Sequence, residues 1–202
     1  MYQKIKLAVL MMCCTATVCA GDGIKGHFDV RPASEGWFAG PGVGTQFYVG
    51  DSDNLHDAGY RFSTAAEVNV GKWVTTSLAM RLQGTAARVT GGNISGKRDA
   101  MNMGLVHMDV MADAMNMIAG IDEERMFTVL PFIGAGCAAN VDSKATCVSI
   151  DLGAMALFRV DKRINIFAEL KGTLLNDRMD GFTGGSKGEG SAVLSAGFIY
   201  NF

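Results

Sequence analysis

Proline is scarce, at 3 of 202 residues, and after the first twenty positions no apolar run is long enough to cross a bilayer as a helix. A membrane-spanning form of this chain is therefore restricted to a closed β-barrel, the other structure that satisfies every backbone polar group in hydrocarbon. Charge is sparse too, at 19% of residues, while 49% are hydrophobic, which excludes a disordered chain. A net charge of −2 excludes a general nucleic-acid binder. Metal-pair spacing among His27, His56, His107 and the cysteines is absent, as are a Walker-type loop and Gly-x-Ser-x-Gly. No cofactor, metal or catalytic set is expected on these grounds. Glycine, by contrast, is abundant: 26 residues, nearly twice the usual share of about 7%. It has no Gly-X-Y period, so collagen is excluded.

The first twenty residues read as an export signal. Lys4 and Lys6 precede the apolar stretch 7–14, and the small residues up to Ala20 complete the pattern, with cleavage expected after Ala20. A lipoprotein signal modified at Cys19 is the rival, disfavoured by Val18 beside it. Cleavage removes Cys13, Cys14 and Cys19 and leaves Cys137 and Cys147. It also removes two lysines, taking the net charge from −2 to −4. Residues 21–36 then form a lead-in and 37–202 the folded domain.

From Trp37 onward the hydrophobic period is two, in eight stretches. Leu78, Met80 and Leu82 alternate with Ser77, Arg81 and Gln83. Val106, Met108 and Val110 alternate with His107 and Asp109, and Ile164, Ile166, Ala168 and Leu170 with Asn165, Glu169 and Lys171. The stretches beginning at Trp37 and Phe127 are less clean. Met108–Ile118 also fits a helical period, but a strand to about Ala114 followed by a turn is the reading adopted. Long and short connections alternate, except that Val141–Thr146 is short and Asn116–Arg125 long for its end. An eight-stranded antiparallel up-and-down barrel, all-β, follows.

Periodicity alone does not say which face is outside. A secreted soluble barrel would turn apolar side chains inward around an apolar ligand; an outer-membrane barrel turns them toward lipid. Three features favour the second. The polar faces carry balancing charges, Glu67, Asp109, Asp113, Asp151 and Glu169 against Arg81, Arg159 and Lys171, with His107 among them, as a narrow lumen requires. Small residues such as Gly40, Gly42, Gly44, Gly134 and Gly136 share that face. The last strand alternates Phe198, Tyr200 and Phe202, the pattern of a barrel-assembly signal.

These segments resemble the OmpA-type eight-stranded barrels of Bacteroidetes outer membranes. The likeness rests on Glu67–Trp73, His107–Met111, Leu130–Gly136 and above all Gly172–Gly181 followed by Gly184-Gly185, and covers roughly residues 35–202. It implies an outer-membrane protein with an adhesive or structural role and at most limited pore activity. Many members continue into a peptidoglycan-binding domain; this sequence ends at the barrel, so that anchoring is not carried over.

Several residue groups admit a specific role. Asn176, Asp177, Arg178 and Asp180 lie past the seventh stretch, as a salt-bridged loop base or a ligand surface. Cys137 and Cys147 stand equally far from Asp142, within disulfide reach in a symmetric hairpin, although their phases place them on opposite faces. Trp37, Tyr48, Trp73 and Phe202 are candidates for interfacial aromatic girdles. Asp109 and Asp113 near His107 leave a barrel enzyme as a minor alternative. An even strand number puts both termini on one side, the periplasm, with the long loops outward. The expected partners are outer-membrane lipid, the barrel-assembly machinery and an extracellular or host-surface ligand, with the barrel itself a monomer.

Overall fold

A strand with one apolar and one polar face is stable only when both faces find their solvent and both edges find a partner. The computed structural model, which describes residues 31–49, 62–92, 98–122, 124–141, 146–175 and 189–202, meets both conditions by closure. The strands are β1 (Trp37–Val49), β2 (Phe62–Trp73), β3 (Leu78–Gly92), β4 (Arg98–Ala112), β5 (Phe127–Asn140), β6 (Thr146–Arg159), β7 (Ile164–Leu175) and β8 (Glu189–Asn201). Each pairs antiparallel with its chain neighbours, and β8 pairs with β1 to close the barrel. The seam extends to the last residue, where the Phe202 amide donates to the Trp37 carbonyl at 3.0 Å. Strands of 12 to 15 residues, rising about 3.3 Å per residue and tilted by about 40°, span roughly 30–38 Å, enough for an apolar band about 25 Å tall.

The structure decides which face is outside. Val43, Val68, Leu82, Val106, Ile133, Ile150, Leu170 and Leu194, one from each strand, are between 48% and 69% exposed. The residues between them in sequence point inward, and Asn69, Gln83, Asp109, Asp151 and Lys171 are almost fully buried. Apolar side chains thus form the outer surface and polar ones the interior, the arrangement of a barrel in lipid and the reverse of a soluble ligand carrier.

The interior is layered rather than uniformly polar, which the alternation does not reveal. At the terminal end, where β1 begins and β8 finishes, Phe38, Met111, Leu130, Phe132, Met155, Leu157, Phe167 and Ile199 form an apolar cluster inside the barrel, with Trp73 packed against it. Near the other end, Met103, Leu105, Ala138, Cys147 and Leu175 form a second, smaller one. The polar layer lies between. Glycine makes the lower plug fit: a methyl group on Gly42 would stand 2.7 Å from the Phe167 ring, and one on Gly153 would collide with the Phe132 ring. Eight strands leave only enough width for side chains, so the lumen packs as a core.

The connection from β4 to β5, read from sequence as a turn, contains one helical turn and a half, α1 (Ala114–Ala119). Asp113 caps it, accepting from the Asn116 amide at 2.8 Å and from the Thr128 hydroxyl at 2.6 Å. Gly120 ends it at φ +85°, a conformation that suits glycine. The Asn116 side chain donates to the Thr76 carbonyl at 3.1 Å and ties α1 to the β2–β3 turn. These groups, Trp37 and Arg125 line a basin of about 600 Å³ over this mouth of the barrel. Residues 31–36 lie against the same end, where the Arg31 amide donates to Val74 and the Trp73 amide to Gly36.

Candidate functional site

Chemistry-bearing side chains collect in the middle of the lumen. β3 sends in Arg81, Gln83 and Thr85; β7 sends Glu169, Lys171 and Thr173 from the opposite wall; β4 contributes His107 and Asp109. β6 adds Asp151, β2 adds Glu67 and Asn69, and β8 adds Ser195. Between β4 and β6 the facing positions of β5 are Gly134 and Gly136, with Asp109 paired to Gly134 and Gly134 to Asp151. A side chain at Gly134 would occupy the place of the Asp109 carboxylate. Absent side chains on β5 therefore let the β4 and β6 groups meet across it.

Arg81 is the hub. Its Nε donates to Asp109 Oδ2 at 2.8 Å, with Nη2 2.6 Å from the same oxygen. Nη1 donates to Glu169 Oε2 and, at 3.2 Å, to Asn69 Oδ1. The guanidinium carbon lies 4.5 Å from the centre of the Phe132 ring, a cation–π contact with the apolar plug below. Gln83 Nε2 donates to Asn69 Oδ1 at 2.8 Å and to Glu169 Oε1 at 3.2 Å.

Lys171 uses all three of its protons. Nζ donates to Gln83 Oε1, to Thr85 Oγ1 at 3.1 Å and to His107 Nε2 at 3.1 Å. An ammonium cannot accept, so Nε2 of the neutral ring is the acceptor and the ring hydrogen sits on Nδ1. From there it donates to Asp109 Oδ1 at 3.1 Å, while Asp151 Oδ2 lies 3.7 Å away. Thr173 donates to Asp151 Oδ1 at 2.6 Å, and Ser195 to Glu67 Oε1 at 2.9 Å. Asp151 Oδ2, Glu67 Oε2 and both amide atoms of Gln46 have no hydrogen-bond partner among the described residues. Buried polar atoms of this kind commonly meet a water or an ion.

The structure thus brings together seven of the sequence-derived lumen residues: Glu67, Arg81, His107, Asp109, Asp151, Glu169 and Lys171. Two others do not join them. Arg159, the last residue of β6, has the inward phase but stands past Leu157, the strand's last buried position, and is exposed at the mouth. Asp113 is buried but spends its carboxylate on capping α1.

The cysteine pairing is also corrected. Cys137 pairs with Val148 and Ala138 with Cys147, so the hairpin centre is displaced by half a residue. Cys137 is exposed on the outer face and Cys147 is buried in the lumen, and no disulfide joins them. Of the girdle candidates, Trp37 is exposed at the terminal end and Phe202 stacks edge-on against Tyr200, with ring centres 5.2 Å apart. Trp73 instead turns inward against the plug, and the Tyr48 side chain lies outside the described residues. The sequence reading missed Phe127 and Phe158, paired at 4.9 Å and both exposed at the terminal end. Phe198 points outward. Asn176, Asp177, Arg178 and Asp180, like the leader 1–20, lie outside the described residues.

This closed polar-cored barrel with an apolar exterior has the architecture of eight-stranded outer-membrane β-barrels. The chain is similar to two Porphyromonas gingivalis proteins. It is 29% identical over 156 residues to outer membrane protein 41, covering 70% of this chain and 38% of that protein. To outer membrane protein 40 it is 24% identical over 220 residues, covering 98% and 57%. The chain thus spans about half the length of these curated relatives. No family model matches it. The fold is shared with Neisserial surface protein A at a TM-score of 0.56 and 15% identity, covering 82% of this chain and 97% of that one. A major outer membrane protein of Thermus thermophilus aligns at 0.50 and 12% identity, covering 82% and 99%.

Proposed function

We propose that this outer-membrane barrel is a non-enzymatic scaffold with a structural or adhesion-type surface role, and that it conducts at most marginally. The observation that carries this reading is the filled lumen. An Arg81-centred polar layer is stacked on an apolar plug of Phe38, Phe132, Phe167 and their neighbours. His107 and Asp109, the candidate catalytic pair, are 1% and 0% exposed, so a substrate has no route to them. What varies freely on such a body is the set of connections at the end away from the termini. The names of the relatives support the membrane location and leave the ligand open.

In this reading the chain is exported by its first twenty residues, assembled through the Phe198, Tyr200, Phe202 strand, and seated in lipid with both termini periplasmic. An extracellular or host-surface ligand would meet the segments at 50–61, 93–97, 142–145 and 176–188. Protease shaving of intact cells tests this. Cleavage confined to those segments, with the terminal end protected until the outer membrane is permeabilised, is expected. Cleavage at the 74–77 or 160–163 turns in intact cells would reverse the orientation.

A further inference from the structure

We propose that the lumen holds a divalent first-row transition cation, of the zinc class, between His107, Asp109 and Asp151. One ligand atom from each residue lies within 4.8 Å of the others, and all three residues are buried. His107 Nδ1 is 3.1 Å from Asp109 Oδ1 and 3.7 Å from Asp151 Oδ2. A tetrahedral zinc with bonds of about 2.1 Å separates its ligand atoms by about 3.4 Å, so the two distances bracket the required edge.

The second observation is independent of the cluster's composition. Asp151 is completely buried, and its Oδ2, which faces the ring nitrogen, has no hydrogen-bond partner among the described residues. A desolvated carboxylate oxygen aimed at an imidazole is costly unless a cation or proton meets it. The charge balance of the layer points the same way. Glu67, Asp109, Asp151 and Glu169 face only Arg81 and Lys171 among the described lumen residues, so two carboxylates remain in excess. One divalent ion neutralises the layer. A nitrogen ligand beside two carboxylates selects a borderline ion over calcium or magnesium, which take oxygen shells of six or more.

Binding at Nδ1 moves the ring hydrogen to Nε2, where Lys171 now donates. The ammonium must then rely on Gln83 and Thr85, which it already contacts. Lys171 therefore opposes the ion, both by charge and by tautomer. The prediction is asymmetric: Asp151→Asn weakens binding and Lys171→Met strengthens it, although both variants disturb the same network. A purely structural network would respond to either change as damage.

The test uses the untagged chain extracted from outer membranes in detergent, unfolded in urea and refolded with zinc or with a chelator. Zinc is then counted after gel filtration, and cobalt is substituted to give visible absorption bands. The expected result is one zinc per folded chain. Asp151→Asn and His107→Gln should lose at least about tenfold in affinity, and Lys171→Met should bind more tightly than the unmodified chain. Folding of each variant is read separately, from its heat-dependent gel mobility. If one ligand variant fails to fold, the other and the cobalt spectrum of the unmodified chain decide. A folded unmodified barrel that elutes without zinc overturns the proposal, as does undiminished binding by a folded Asp151→Asn.

Discussion

Replacing Arg81 by methionine tests the polar layer most directly. The methionine keeps most of the aliphatic stem over Phe132 but removes every donor. Asp109 loses both contacts to the guanidinium and keeps only His107, while Glu169 keeps only the 3.2 Å bond from Gln83. Both fully buried carboxylates lose their guanidinium partner. Breaking a buried pair by removing one partner costs about 3–5 kcal/mol, because the stranded charge stays desolvated. The expected loss is in that range, measured by reversible urea unfolding in lipid vesicles and followed by the fluorescence of Trp37 and Trp73.

Glu169→Gln in the same chain removes one of the two stranded charges. The double variant should therefore be less damaged than the sum of the singles, by about 1–3 kcal/mol, as for groups in one network. A loss below about 1 kcal/mol for Arg81→Met, or additivity within about 0.5 kcal/mol, would refute the claim that this ion cluster is held together by mutual compensation. It would mean instead that water reaches the layer and screens each charge separately.

Three further outcomes follow from the same geometry. Gly134→Ala places a methyl group on the Asp109 carboxylate and should cost about 1–3 kcal/mol in the same unfolding assay; Gly84→Ala, with nothing within 4 Å, should cost nothing measurable. Ile150→Arg, at an outward position that is 53% exposed, should destabilise the barrel by about 2–4 kcal/mol if that position lies near the bilayer midplane, and an unaffected stability would mean this face is not in lipid. In planar bilayers the unmodified barrel should show no steady open level, because the polar layer and the apolar clusters on either side of it all fill the lumen. A steady conductance would show that these layers are not a seal.

The period of two, the eight strands and the closing aromatic strand were legible because lipid on one side and a narrow lumen on the other impose alternation on every strand. Legibility failed where both sides are apolar. Leu130, Phe132 and Phe167 point inward between Val129, Ile133, Ile166 and Ala168, so the plug is invisible to any hydrophobicity pattern. The cysteine geometry depended on a half-residue displacement of one hairpin, which sequence symmetry does not fix. Asp151 meets His107 and Asp109 only because β5 lies between them with glycine at Gly134, a relation of register across three strands. Spacing along the chain carries no trace of it.

That dependence on register explains why an interior this costly is kept. Suppose β7 slips by one residue against its neighbours. Every side chain changes face, so Glu169 and Lys171 enter hydrocarbon while Ile166, Ala168 and Leu170 enter the polar layer. Lys171 alone would then cost about 2–4 kcal/mol near the bilayer centre, and Arg81 would lose Glu169, one of the two carboxylates that justify its burial. The apolar plug adds little such discrimination, because an outward Phe167 is welcome in lipid. In water a hydrophobic core both stabilises and specifies; in this barrel the hydrocarbon accepts apolar residues on either face, so specification falls to the charges. The seam between β1 and β8 adds a steric condition beside the charges: Gly42 faces Gly197 there, with the Phe167 ring close to both, so a side chain brought opposite by a slip would meet that ring.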